Sequence, residues 1–200
     1  MAVVKLKERE RVDTRGRIVA AAARLSDRDG MERVTLDAIA TEARIGKATV
    51  DTHFDGKDDI AIALLIEADR KAFGEIALLP KEGMSVAEAL DAAAWMLLEC
   101  KAPHCPCVRT FLCRLFGNDA MPADLTNHLR ALDLAIEALF ERLLARPGMR
   151  RALPAETLVL SFRSMYMGLL TQWLIEGAPY ESTRVLTRRH SALLAKGLML

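Results

Sequence analysis

Apolar positions recur along the chain with the period of helices, and β-branched runs of strand length are nearly absent. Between Arg11 and Arg28, the residues Ile18, Ala21, Ala22 and Leu25 share one helix face, and Asp29-Gly30 closes the segment. Thr35 is a good N-cap for LDAIATEA, which predicts a short second helix to about Ala43. Arg44 to Gly46 breaks the chain briefly. A third short helix covers about Lys47 to Phe54. After the Asp55-Gly56 turn, Lys57 opens a long helix striped by Ile60, Ala61, Leu64, Leu65 and Ala68, which ends before Pro80. Further helices are predicted at about 85–101, 107–117, 122–146, 154–176 and 180–198, the last two split by Gly177-Ala178-Pro179. The expected fold is all-α, with about nine helices.

A long helix, a short one, a break and another short one is the helix-turn-helix plan. In Lys47 to Phe54, Val50 and Phe54 fall one turn apart and face inward, with Ile45 closing the turn. Lys47, Ala48, Thr49, Asp51, Thr52 and His53 are left for the outward surface. Small residues there permit close approach to a major groove, and hydroxyls and His53 can donate to phosphate or base edges. Lys57 sits at a helix start, where backbone N–H groups also attract phosphate.

The segment RGRIVAAAARL…DGMERVTLDAIATEARIGKATVDTHFDGKDDIAIALL resembles the DNA-binding domain of the tetracycline-repressor (TetR) family of bacterial transcription regulators. The likeness covers about Thr14 to Ile66, through Ile18, Ala21-Ala22, Gly30, Thr35, Ile39-Ala40, Ala43, Ile45, Lys47, Thr49, His53-Phe54 and Lys57. It implies DNA contacts from Thr35, Lys47, Ala48, Thr49, Asp51, Thr52, His53 and Lys57. It also implies a helix-turn-helix domain over 1–56 and a helical effector-binding and dimerisation domain over 67–200, entered by the helix that starts at Lys57, so that the second domain is taken as 57–200. The stretch YMGLLTQWLIEGAPYESTRVLTRRHSALLAKGL resembles the family's closing helix pair, whose two copies form a dimer interface. Apolar Met165, Leu169, Leu170, Leu174, Leu186, Leu193, Leu194 and Leu198 are its expected faces. Two positions depart from the family pattern: Arg44 stands where the family usually has Gly, and Asp51 where it usually has an aromatic residue on the DNA backbone. An ionised acid repels phosphate. Asp51 either accepts from a cytosine amine or pairs quietly with a base such as Lys47, one turn back.

Composition adds less. The chain is 52% hydrophobic and 5% aromatic, with a formal net charge of +1, so bulk charge names no partner. The first 17 residues lean basic through Lys5, Lys7, Arg9, Arg11, Arg15 and Arg17, an arm able to meet phosphates or simply to fray. From Arg24 to Ile60 acids outnumber bases, so a nucleic-acid reading rests on placement. The amino terminus lacks the apolar core of a secretory signal, and the uncharged stretch Ser164 to Ile175 is shorter than the roughly 20 residues that span a bilayer. A cytoplasmic protein with free thiols and no membrane partner is expected.

Cys100, Cys105, Cys107 and Cys113 lie close together in CKAPHCPCVRTFLC, with His104 among them. Three readings stay open: packing as small hydrophobes, thiol sensing, or a soft metal held by Cys100, Cys105, Cys107 and His104. Plausible lining for an effector pocket is Trp95, Cys100, His104, Phe111, Met121, His128, Met165 and Trp173. An enzyme with Cys105 or Cys107 as nucleophile lacks an orienting acid at any motif position. No cofactor is implied. The expected protein is a homodimeric regulator that binds double-stranded palindromic operator DNA, a repressor released by a small-molecule effector or by thiol or metal stress. The alternative is a dimeric ligand-binding protein of the same fold with weakened or lost DNA binding.

Overall fold

The computed structural model describes residues 2–117, 121–149 and 153–198, with side chains from Glu10 onward. Nine α-helices form among the described residues: α1 (Ala2–Asp29), α2 (Leu36–Ala43), α3 (Lys47–His53), α4 (Lys57–Ile76), α5 (Val86–Glu99), α6 (Cys105–Phe116), α7 (Ala123–Leu144), α8 (Ala155–Glu176) and α9 (Glu181–Lys196). Short 3-10 turns occupy Met31–Arg33 and Ala102–His104. The chain divides into two compact units, one of residues 1–67 with 103–119, the other of 68–102 with 120–200.

In the first unit, α1, α2 and α3 bury the faces read from the sequence: Ile18, Ala21, Ala22 and Leu25, then Ile39, Ala40 and Ala43, then Val50 with Phe54. The first half of α4 joins them through Ile60, Ala61, Leu64 and Leu65, and α6 through Cys107, Val108 and Phe111. Helix α1 is longer than expected. It begins at Ala2 rather than near Arg11, because no glycine or proline interrupts residues 2–11 and Lys, Glu and Arg favour helix. The frayed arm is therefore helical backbone; the side chains of Lys5, Lys7 and Arg9 lie outside those described.

The second unit is held by α5, α7, α8 and α9. Helix α5 opens with a capping box, in which Ser85 Oγ accepts from Glu88 N–H while the Glu88 carboxylate accepts from Ser85 N–H. Small residues let α5 and α9 pack closely: Ala89 and Ala93 on one side, Thr183, Thr187, Ser191 and Ala195 on the other. Phe140 and Phe162 meet edge to face at 6.4 Å between α7 and α8. The closing pair corrects one expectation. Leu169, Leu170 and Leu198 are buried in their own chain, as are Trp173 and Phe162. The apolar residues left exposed on α8 and α9 are Leu160, Ile175, Val185 and Leu193.

Candidate nucleic-acid interface and a buried polar cluster

Helices α2 and α3 are set in place from their ends. Thr35 Oγ1 accepts from Ala38 N–H at 3.2 Å and starts α2. At the other end Arg44 adopts φ 54° and ψ 50°, the left-handed position its place in the turn demands, and its N–H closes onto Thr41 O while Ile45 N–H reaches Ala40 O. A non-glycine residue there stores strain of about 1–2 kcal/mol. Gly46 then caps α3. Two arginines of α1 satisfy the helix carboxyl ends: Arg17 Nη2 donates to Ala43 O at 2.7 Å, and Arg15 Nη1 to His53 O at 2.8 Å with its guanidinium over the Phe54 ring. Arg15 and Arg17 are thus structural clamps, not free members of a phosphate-seeking arm. Their spacing to α2 and α3 is a tertiary fact that the charge pattern does not encode.

The outward face of the pair carries Thr35, Lys47, Ala48, Asp51 and Thr52, all exposed, with Thr49 and His53 half-buried beside them. Asp51 does not pair with Lys47. Lys47 Nζ reaches Asp37 Oδ2 of α2 instead, at 3.1 Å between two exposed side chains, a pair of little energetic weight. The Thr52 hydroxyl donates back to Ala48 O at 2.7 Å. Burial, then the charges of Arg11 and Arg15, hold the His53 imidazole below its ordinary pKa, so it is neutral at neutral pH. Lys57 Nζ donates to Glu32 O at 2.8 Å, which ties the start of α4 to the turn before α2. Arg114 of α6 reaches Asp59 of α4 at 3.2 Å in the same unit.

The second unit contains a buried ionic cluster. Asp69 on α4 accepts from Lys101 Nζ through Oδ1 and from His128 Nε2 of α7 through Oδ2 at 3.0 Å. Lys101 Nζ also donates to Leu97 O at 2.8 Å and lies 5.6 Å from the Tyr166 ring centroid, while Tyr166 Oη donates to Leu97 O. Cys100 Sγ donates to Asp69 Oδ1 at 3.4 Å, and Phe73 stacks on His128. Burial alone would raise the Asp69 pKa, but Lys101 and His128 outweigh it and hold the carboxyl below its usual value. Burial likewise opposes the charge on Lys101. The acidic groups around it, Tyr166, Asp69 and Cys100, carry it above its usual range, and Asp69 is the one ionised at neutral pH. An ionised Asp69 has no proton to give, so His128 Nε2 carries the hydrogen in this bond.

Of the eight pocket candidates, only Cys100 and His128 come together, on Asp69. Trp95 lies under the Arg184 guanidinium at 4.8 Å, which in turn grips Asp91 with two bonds of 2.6 and 2.7 Å. Trp173 stacks on Tyr180 at 4.5 Å, Met165 is half-buried and Met121 is exposed. His104 and Phe111 belong to the first unit. Asp69, Lys101 and Tyr166 went unnoticed in the sequence, although a signal existed: Asp69 stands in the stripe Leu65-Ala72-Ile76, and Lys101 one turn after Leu97. A charge in an apolar register marks a buried pair.

Cys100 is in the second unit and Cys105, Cys107 and Cys113 are in the first. Burial pushes the Cys100 thiol up to about 12 and the Cys107 thiol up to about 11, so both stay protonated and unreactive at neutral pH. Among the described residues no three His, Cys, Asp or Glu side chains gather as metal ligands would.

Residues 18–64, the segment that builds this clamped helix pair, match the family described as bacterial regulatory proteins, tetR family. The match covers the helix-turn-helix module rather than the whole chain. Curated relatives of this chain are transcriptional regulators. An uncharacterised HTH-type transcriptional regulator of Mycobacterium tuberculosis is 27% identical over 119 residues, 58% of this chain and 56% of the relative. A counterpart in Mycobacterium bovis matches equally. The chain thus spans about half the length of the curated relatives it matches. Among solved structures, Thermus thermophilus FadR, a TetR-family repressor in complex with lauroyl-CoA, shares the fold with a TM-score of 0.71 at 19% identity, over 93% of this chain and 95% of that one. Bacillus subtilis FadR in complex with stearoyl-CoA has a TM-score of 0.66 at 16% identity, over 90% and 97%. The curated relatives named above are transcriptional regulators, not enzymes, and no helix among the described residues is long and apolar enough to cross a membrane.

Proposed function

We propose that the chain is a homodimeric, sequence-specific DNA-binding regulator that acts in the cytoplasm, a repressor released by a small molecule. The observation that carries this reading is the clamped α2–α3 pair, whose exposed face is made of small, hydroxyl-bearing and charged residues while its inner face is apolar. Such a helix suits a major groove, with Thr35, Lys47, Thr49, Thr52, His53 and Lys57 meeting phosphates or base edges and Ala48 allowing close approach. The bonds already made by Lys47 and Lys57 are to groups exposed enough to exchange for phosphate.

Two copies are needed to read two half-sites. Exposed Leu160 and Ile175 on α8 with Val185 and Leu193 on α9 support a dimer through these helices. Effector coupling is proposed through α4, whose residues up to Glu67 belong to the first unit and whose Asp69 is bound to Lys101 and His128 in the second. A ligand that binds better when those bonds are rearranged would move α4 and with it the spacing of the reading helices. The FadR structures hold acyl-CoA ligands, so a fatty acyl-CoA is the first effector class to test.

The test is selection from a random duplex pool with the full chain. The reading expects a twofold-symmetric enriched sequence, bound by two chains per duplex. Enrichment of no sequence would overturn it and favour a ligand-binding protein without DNA function. Lysine at both Ile175 and Leu193 should give a monomer in sedimentation.

A further inference from the structure

We propose that Asp51 sets sequence specificity by accepting a hydrogen bond from a cytosine N4 amine in each half-site. The proposal rests on the DNA-binding reading above and goes beyond it by naming the residue and the base.

Asp51 is exposed on α3, flanked by exposed Ala48 and Thr52, while Val50 and Phe54 are buried. The base one turn back, Lys47, is bonded to Asp37 of α2, and no described side chain takes its place beside Asp51. Two other cations of this unit are engaged elsewhere: Arg15 caps α3 through His53 O, and Lys57 is bound to Glu32 O. The acid is therefore presented to whatever the helix meets.

What it can meet is narrow. Phosphate oxygens carry negative charge and only accept, so an ionised carboxylate facing them is repelled. The groove floor offers amine donors on cytosine N4 and adenine N6. Adenine pairs its N6 donor with the N7 acceptor beside it, and that pair suits an amide, which has both a donor and an acceptor; an acceptor-only carboxylate suits cytosine N4. The small Ala48, three residues back and so nearly one turn away, leaves room for the short Asp51 side chain to reach the floor. The Thr52 proton is spent on Ala48 O, so Thr52 offers no donor that would neutralise its neighbour. An acid at this point also rejects wrong bases, because thymine O4 and guanine O6 would face it as acceptors.

Selection from a random duplex pool is run with the wild-type chain, Asp51→Ala and Asp51→Asn, each checked for an unchanged thermal midpoint. Wild type should show cytosine at one fixed position of each half-site, preferred by about tenfold over other bases. Asp51→Ala should lose the preference at that position alone and bind scrambled duplex more tightly than wild type, since an anion has left the phosphate-facing surface. Asp51→Asn should move the preference to adenine. Identical base preferences in wild type and Asp51→Ala would overturn the proposal while leaving the DNA-binding reading intact. If wild type enriches no sequence, both fall.

Discussion

Replacing Asp69 with Asn removes one charge from a cluster that water does not reach. Lys101 and Asp69 side chains are 2% and 6% exposed, so the ammonium left behind has no counter-ion and no solvent. Breaking a buried pair by removing one partner costs about 3–5 kcal/mol, because the remaining charge keeps its full desolvation penalty. Lys101→Met should cost less. Its partner Asp69 still accepts the hydrogen bond of His128 Nε2 at 3.0 Å, so the carboxylate is not left without a partner. The double variant Asp69→Asn, Lys101→Met should be more stable than Asp69→Asn alone, a coupling of roughly 2–3 kcal/mol. The pH dependence has a definite sign. The folded Asp69 pKa lies below its unfolded value of about 3.9, so its stabilisation is fully present above that value and is lost as pH falls through the folded pKa. The gap between wild type and Asp69→Asn should be flat from neutral pH down to about 5 and close in stronger acid. Denaturant titration followed by circular dichroism reads all four proteins. A loss below about 1 kcal/mol for Asp69→Asn, or strict additivity of the two substitutions, would refute the view of a mutually dependent buried pair.

Other expectations follow from the first unit and the thiols. Arg44→Gly should stabilise the protein by about 0.5–1 kcal/mol in the same titration, since glycine relieves the positive φ but loses more chain entropy; a loss would mean the Arg44 side chain holds the turn. Arg17→Ala should destabilise by about 1–2 kcal/mol by freeing Ala43 O at the end of α2, and Arg15→Ala by a similar amount through His53 O and the Phe54 ring, with thermal melting as the readout. Near neutral pH, iodoacetamide should label exposed Cys113 in the native protein, while Cys100 and Cys107 react only after denaturation, as peptide mapping would show.

Much of the helix pattern was legible because local signals agree. Thr35, Gly46 and Ser85 sit at helix starts, and the apolar stripes of α1 and α3 point inward where their spacing puts them. Arg44 stood out for a different reason, because the resembled family usually has Gly at that position. The clamps of Arg15 and Arg17 were not, since nothing in a basic stretch says whether a guanidinium faces solvent or a carbonyl at a distant helix end. The Asp69 cluster joins residues 32 and 59 positions apart, a pairing that only packing creates. Leu169 and Leu170 look like interface residues in sequence because a helix buried on several sides carries apolar positions all round. Which of them remain for a second chain depends on how α8 is covered by its own neighbours.

The exposed face of α3 is proposed to read DNA. Its most direct test is a titration of the full chain against the duplex enriched by selection and against a scrambled duplex of the same composition, repeated at several salt concentrations. Log affinity should fall linearly with log salt for both, with roughly a thousandfold or greater advantage for the enriched duplex with two chains bound. Equal affinity for the two duplexes at every salt concentration would contradict it.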